Sequence, residues 1–476
     1  MILNDYTAAF PNEDAPSRLE KFYNDMYSWT EVYKGKPRWN TVRRSGLYKK
    51  GLRRMNLLNA GKTLCDELSV LCFAEQVEIA CDNEQYKEYI DKVMNEQGFW
   101  KHVPELIARS FAEGGGVLRE YVKDGKILMN YISAADFLPL SWDNKRITSA
   151  VFRSSFVKGK IFYTIFERQT LLPDGKNRTE TFLFKSNSES AVGKRCPLSE
   201  LFGDAPDFTE SDIPMPTFQY FRPDVANNAE FYVPLGISVY ANALDTLQAL
   251  DVAFDSFARE FVLGKKRIIV PSSCVQTVID PTTGSEVRYF DADDEAYVAL
   301  KCDEDKDLKI TDNTIELRVD EHIKAINALL NILCFQTGLS AGTLSFDANE
   351  GMKTATEVIS QESKTARTVK GHKNQLVELF EEFCKAVIEL GIHLKELTRT
   401  EYKLSVGFKD NVIIDENTLI DNNIKLVSAG LQSKAEAIME IFKCDEETAL
   451  KKIKRIAKEQ NMGGAQLDDL FGGDKA

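Results

Sequence analysis

The sequence predicts an α+β protein, mainly helical, on three observations. Residues 14–113 carry apolar side chains at helical spacing. From Val117 to about Lys185 the chain alternates with period two. Beyond that, two amphipathic helices flank a β-rich insertion and precede a helix much longer than either. At 476 residues the chain exceeds what one hydrophobic core supports, so more than one substructure is expected.

In the helical region, Trp29 with Tyr33 and then Trp39 bracket a Gly35-Lys36-Pro37 turn. A periodic stretch runs from Leu52 to Phe73, and shorter helices are expected over 84–96 and 100–112. Gly114-Gly115-Gly116 breaks the pattern as a turn. In the meander, Val117–Val122 and Ile127–Ile132 flank Asp124-Gly125, a dipeptide suited to the positive φ angles of a tight hairpin. Further strands are expected over 149–157, 160–169 and 179–185, with Asp174-Gly175 turning the last pair. Residues 186–235, punctuated by Pro197, Pro206, Pro214, Pro216, Pro223 and Pro234, read as a long excursion.

Residues 238–263 then read as an amphipathic helix about 39 Å long. Ala243, Leu247, Leu250, Phe254, Phe257 and Phe261 follow one another at alternate steps of four and three, which puts all of them on one stripe. Gly264 ends the helix, and Lys265-Lys266-Arg267 leads into the strand-like Ile268–Pro271 and a β-rich insertion over about 265–317. A second amphipathic helix, Val319–Thr337, repeats the stripe with Ile323, Ile326, Leu330 and Leu333, and Gly338 ends it. A loop of small residues, Leu339–Lys353, precedes a helix from Thr354 to about Thr398, roughly 65 Å if continuous. Gly371 and Gly391 are its natural kink or fray points. Glu401–Phe408 reads as one returning strand, 415–460 as helical and charged, and Gly463–Ala476 as a disordered tail.

Composition narrows the function. Hydrophobic residues are 43% and charged residues 28%, ordinary globular values. A net charge of −13 means the chain as a whole does not attract nucleic acid, so any contact with DNA must be local. Nine cysteines without a CxxC read as reduced, buried thiols in a cytosolic setting. The N-terminus lacks a signal-peptide pattern, and the most apolar run, Ala325–Phe335, carries Asn327 and Asn331, so no membrane partner is expected.

Motifs for chemistry fall short. Gly61-Lys62-Thr63 imitates a phosphate loop, but Asn56 stands where that loop needs its first glycine. Asp303-Glu304-Asp305-Lys306-Asp307 resembles the start of a calcium loop, yet Leu308 and Thr314 occupy the required Gly and Glu positions. His102, His322, His372 and His393 have no companions at ligand spacing and read as surface or interfacial residues. No catalytic residue, cofactor or metal is expected. Charge, by contrast, is segregated. Residues 285–321 hold 13 acidic side chains against five basic ones, whereas 353–374 hold five basic against two acidic.

The run Leu339-Ser340-Ala341-Gly342-Thr343-Leu344-Ser345-Phe346-Asp347, followed by Gly351-Met352-Lys353-Thr354-Ala355-Thr356-Glu357-Val358, resembles the portal proteins of siphophages, of the type from phages of Gram-positive hosts. Trp29, Tyr33, Gly35 and Trp39, and Gly236–Tyr240 with Leu247, Asp251 and Phe254, fit the same family in the same order. The resemblance implies a portal fold: wing over 1–237, stem helices over 238–263 and 319–338, and a clip over 264–318 between them. It further implies a tunnel loop over 339–353, a long wing helix and returning strand over 354–413, and a crown over 414–462.

The implied function is a ring, usually of twelve subunits, at one vertex of the virion capsid, assembled in the host bacterial cytoplasm. It would conduct double-stranded DNA during packaging, retention and ejection. Terminase, head–tail adaptor, scaffold and major capsid proteins are the implied partners. On that reading Leu344, Ser345, Phe346, Asp347, Asn349, Glu350 and Lys353 line the channel, with Leu344 and Phe346 as apolar tips. Lys364, Arg367, Lys370 and Lys373 are candidate contacts to the DNA backbone. Leu247, Leu250, Phe254, Phe257, Phe261, Ile323, Ile326, Leu330 and Leu333 pack the stem, against one another and the neighbouring subunit. Two competing readings remain: a helical adaptor or scaffold that never meets DNA, and a metal-dependent nuclease using the acidic cluster.

Overall fold

Five helices lead the chain: α1 (Ile2–Ala9), α2 (Glu20–Tyr33), α3 (Ala60–Phe73), α4 (Glu84–Glu96) and α5 (Phe99–Glu113). Helix α5 buries Phe99, Val103, Leu106, Ile107, Phe111 and Ala112, so apolar side chains occupy most of its circumference and other elements must enclose it. Helices α2, α3 and α4 pack on it. Asn83 caps α4, its side chain accepting the Tyr86 N–H at 3.2 Å. The structure, a computed structural model, describes residues 2–13, 16–45, 50–264, 268–271, 277–279, 286–288, 297–300, 311–312, 316–345, 355–409, 416–442 and 448–456. Residues 1–407 form one unit and 408–476 a second.

The helical expectation for 14–113 needs correction before Ala60. A two-stranded hairpin, β1 (Thr41–Ser45) and β2 (Lys50–Arg54), replaces a helix starting at Leu52, and Leu52 is 70% exposed. Asn59 takes a left-handed conformation (φ 56°), so helical backbone cannot extend back through it. The helical reading also passes over a short strand, β3 (Val77–Cys81).

Beyond α5, Gly114 takes φ 82° as the helix cap, and a Cβ there would lie 2.8 Å from the Gly236 carbonyl oxygen, so the turn requires glycine twice over. Asp124 (φ 53°) and Gly125 (φ 72°) form the expected tight turn between β4 (Gly116–Lys123) and β5 (Lys126–Ser133). The next strand, β6 (Phe137–Asp143), carries no sequence signal that the meander reading used. Its turn into β7 (Arg146–Lys158) is built from Asn144 (φ 46°) and Lys145 (φ 80°), without glycine. The Lys145 ammonium holds that turn, donating to the Phe231 carbonyl at 2.8 Å and to that of Val233. Strands β8 (Ile161–Leu171) and β9 (Asn177–Ser186) continue the meander.

Residues 186–235 are no excursion. They contribute β10 (Lys194–Cys196), α6 (Ser199–Phe202), β11 (Phe208–Ser211) and β12 (Phe218–Phe221). β10 and β11 pair with opposite halves of β9, and β12 pairs with β4. Strands of three or four residues between prolines leave no alternation long enough to read. Two sheets result: β12-β4-β5, and β10-β9-β8-β7-β6 with β11 added on β9. Arg119 of β4 joins them through a two-pronged bond to Glu167 of β8, at 2.7 and 3.2 Å.

Helix α7 (Leu244–Leu263) starts later than the expected residue 238. The preceding residues are drawn into the core instead. The Val239 N–H donates to the Phe111 carbonyl at 2.9 Å, and the Tyr240 hydroxyl donates to the Trp29 carbonyl at 2.9 Å. Those bonds hold groups that an earlier helix would have to turn elsewhere. The insertion contains β13 (Ile268–Pro271), β14 (Thr277–Ile279), β15 (Glu286–Arg288), β16 (Tyr297–Leu300) and β17 (Thr311–Asp312), ordered β16-β13-β17 with β14-β15 as a separate pair.

Helix α8 (Val319–Gln336) is followed by α9 (Ala355–His393), whose 39 residues span about 58 Å. Helix α9 stops before the expected Thr398, and Lys395 turns away at φ 61°. It passes Gly371 and Gly391 without a break. Both glycines are close approaches rather than kinks: a Cβ would stand 2.0 Å from Asp224 Oδ2 at the first and 2.7 Å from Tyr89 Cε1 at the second. Leu376, Phe380, Phe383, Val387 and Leu390, at steps of three and four, bury the helix, and Phe383 stacks on Phe99 of α5 at 4.7 Å. The returning strand β18 (Leu404–Phe408) pairs with β3.

In the second unit, α10 (Glu416–Ser428) and α11 (Lys434–Phe442) pack together. Ser433 and Glu436 cap α11 reciprocally: the Glu436 N–H donates to Ser433 Oγ at 3.1 Å and the Ser433 N–H to Glu436 Oε2 at 2.8 Å. The expected tail, 463–476, lies outside the described residues. Cys65, Cys72, Cys196, Cys334 and Cys384 are buried free thiols.

Candidate functional site

Helices α7 and α8 pack side by side and antiparallel. Near the insertion, Arg318 donates to the Glu260 carboxylate at 3.1 and 3.0 Å and holds it below the usual carboxylate range, while Phe257 lies 5.8 Å from the His322 ring. At the other end, α8 touches the turn Ala241–Ala243 that opens α7. The stripe expected to pack the pair divides along its length. Leu247, Leu250, Ile326, Leu330 and Leu333 are buried; Phe254, Phe257 and Ile323 are half-buried; Phe261 is 45% exposed. Leu247 and Leu250 are therefore consumed inside their own chain. Their expected role in binding a neighbouring subunit is corrected, because no surface of theirs is left to offer.

Helix α8 has a second apolar face that the stripe reading omitted. Ala325, Ala328, Ile332 and Phe335 point outward, Ile332 being 47% and Phe335 76% exposed. Spacings of three and four put them on one side. A helix that is apolar on both its inner and its outer side belongs in a buried place, which the described residues do not provide. The signal was present in the unbroken run Ala325-Ile326-Asn327-Ala328-Leu329-Leu330, continued to Phe335.

The junction between α8 and α9 is tied down over its first half. The Gly342 N–H donates to Asn331 Oδ1 at 2.9 Å, and the Ser340 N–H to Thr365 Oγ1 at 2.9 Å. Thr368 Oγ1 donates to the Gly338 carbonyl at 2.7 Å. Leu344, expected as an exposed apolar tip, is buried, because these bonds fold residues 338–345 back onto both helices. Ser345 is exposed. Phe346, Asp347, Asn349, Glu350 and Lys353 lie outside the described residues, as do most of the acidic side chains of the insertion.

The four basic candidates separate as well. Lys373 forms an ion pair with Glu75 at 2.6 Å and is largely enclosed, so it is corrected to a structural residue. Lys364 is half-buried, lies over the Phe335 ring at 4.7 Å and donates to the Phe335 carbonyl at 3.3 Å. Arg367 and Lys370 are exposed on one side of α9. His372, expected at a surface or an interface, is buried between α9 and the core. Its Nδ1 accepts the Asp224 N–H at 3.0 Å, and burial pulls its pKa down to about 4, so it is neutral at physiological pH. Among the described residues no group of three His, Cys, Asp or Glu side chains could hold a metal ion.

Two carboxylates one turn apart on α7 also matter: Asp251, which the sequence offered only as a fit to the family, and Asp255, which sequence reasoning missed. Asp251 accepts Trp39 Nε1–H at 2.8 Å and the Leu58 N–H at 2.9 Å, and burial raises its pKa. Asp255 accepts both arms of the Arg53 guanidinium, at 2.7 and 2.6 Å, which holds its carboxyl below the usual range. Together they clamp the β1-β2 hairpin and the segment after it to α7. A cleft of about 410 Å³ between α9 and β12 is lined by charges of both signs, among them Lys145, Arg146, Arg222, Glu378 and Glu382. No helix among the described residues is long and apolar enough to cross a membrane.

The family model for phage portal proteins of the SPP1 Gp6-like kind covers residues 16–464. No curated protein matches the chain.

Proposed function

The chain belongs to the SPP1 Gp6-like family of phage portal proteins, and from that membership we propose that it builds a ring of about twelve subunits at one capsid vertex, a closed cyclic assembly of repeated heterologous contacts. The family is a structural one, and membership implies a homo-oligomeric ring associated with capsid, DNA and terminase. The finer reading is ours. The ring conducts double-stranded DNA inward during packaging, retains it, and releases it at infection, with no chemistry of its own. Terminase docks on it during packaging, and head–tail adaptors bind it afterwards. Scaffold and major capsid proteins surround it during assembly in the host cytoplasm.

The observation that carries this reading is the outward apolar face of α8, with Ile332 and Phe335 as its large exposed side chains. A ring subunit needs such a seam, whereas a monomeric adaptor would leave it wet. On this reading α7 and α8 are the stem, the β-rich insertion is the clip and 339–353 is the tunnel loop. Residues 1–237 with α9 and β18 make the wing, and the helices beyond residue 414 make the crown. The negative balance of the chain supports passage, since a wall that repels phosphates lets DNA slide.

Packaging reactions with the cognate terminase test the channel assignment. Phe346→Ala, with Leu344 left in place, is expected to give rings of normal mass that package or retain severalfold less DNA. Packaging equal to that of the unaltered protein would remove the loop from the channel.

A further inference from the structure

One short segment runs against the charge of the whole chain. Residues 34–54 contain nine Lys and Arg and no Asp or Glu, in a protein of net charge −13. Their core is the β1-β2 hairpin, which pairs with no other strand among the described residues. The base of the hairpin is fixed, because Asp255 grips Arg53 and the Asn56 N–H while Asp251 grips Trp39 and the Leu58 N–H.

Register then divides the ribbon into two faces. Val42 lies opposite Arg53 and Arg44 opposite Gly51, and these four share the face from which Arg53 reaches α7. Thr41 opposes Arg54, Arg43 opposes Leu52, and Ser45 opposes Lys50, so Arg43, Lys50 and Arg54 share the other face with Leu52. Leu52 and Arg54 are exposed. Neither Lys36 nor Arg54 reaches a carboxylate among the described residues.

We propose that this ribbon is a nucleic-acid contact separate from the junction loop, in which Arg43, Lys50 and Arg54 bind phosphates of double-stranded DNA without reading its sequence. The proposal rests on the portal reading, which supplies DNA as the ligand. Phosphate backbones present one sign of charge over a long distance, and a segment with nine cationic side chains and no anionic one complements them. A two-stranded ribbon is also narrow enough to follow a groove of the duplex. Repetition around a ring multiplies an attraction that is weak in each copy.

The test uses assembled rings and a short labelled duplex, titrated over a range of salt concentrations. The variant carries Arg43→Ser, Lys50→Ser and Arg54→Ser, and leaves the structural Arg53 untouched. The expected result is a ring of unchanged mass that binds the duplex at least about tenfold more weakly at low salt. Its dependence of log K on log salt should be shallower, by about 0.9 for each phosphate that is no longer neutralised. Unchanged affinity and slope would overturn the proposal while leaving the portal reading intact. Loss of rings in the variant would overturn it too, by assigning the ribbon to an acidic surface of the neighbouring subunit. Absence of rings in the unaltered protein would instead overturn the portal reading on which it rests.

Discussion

Leu250→Asp is expected to leave no stably folded chain to assemble. Leu250 is 0% exposed and sits beside the buried Leu247 on the inner side of α7. Truncating a buried leucine costs about 2–5 kcal/mol from lost packing. A carboxyl placed there without a partner costs several kcal/mol more, whether it is buried charged or shifts its pKa to become neutral. Together these approach the roughly 5–15 kcal/mol that holds a domain folded. Thermal denaturation should show a lost or strongly lowered transition, and expression should fall in the soluble fraction. A variant with a normal transition that merely fails to assemble would show that the inner side of α7 is an interface after all.

The opposite side of the helix pair should behave the other way. Ile332→Asp with Phe335→Asp changes two side chains that are 47% and 76% exposed in the single chain, so the cost to folding should be small, within about 0.5 kcal/mol at each exposed site. Placing two carboxylates on a seam that repeats around a closed ring is far more disruptive, because every interface meets them uncompensated. Sedimentation should find the variant at the 53.8 kDa of one chain, with a melting transition close to that of the unaltered protein. Full-sized rings from this variant would move the seam elsewhere. The contrast between the two substitutions separates core from interface along one pair of helices.

The sequence made the helix pair legible because Leu247, Leu250, Ile326, Leu330 and Leu333 repeat at helical steps, and those positions are buried. The same periodicity could not say which burial belongs to the chain and which to an assembly. It therefore gave Leu250 to a neighbour and passed over Ile332 and Phe335. The β1-β2 hairpin was hidden because apolar spacing was extended back from α3 to Leu52, across the left-handed Asn59. Strand β6 was hidden by a turn made from Asn144 and Lys145 in place of glycine. Prolines masked β10, β11 and β12, which are too short to show alternation but complete two sheets. Asp251 and Asp255 are single carboxylates on a helix, and only the fold brings Trp39 and Arg53 to them. Leu344 was legible as apolar but not as buried, since the bonds of Gly342 to Asn331 and of Ser340 to Thr365 span distant positions in the chain.

The claim on which all of this depends is that copies of the chain close around an opening wide enough for a duplex. Electron micrographs of the purified protein test it most directly. The account predicts annular particles of about twelve subunits with a stain-filled centre. Solid, compact particles at every protein concentration, with no central opening in any view, would contradict it.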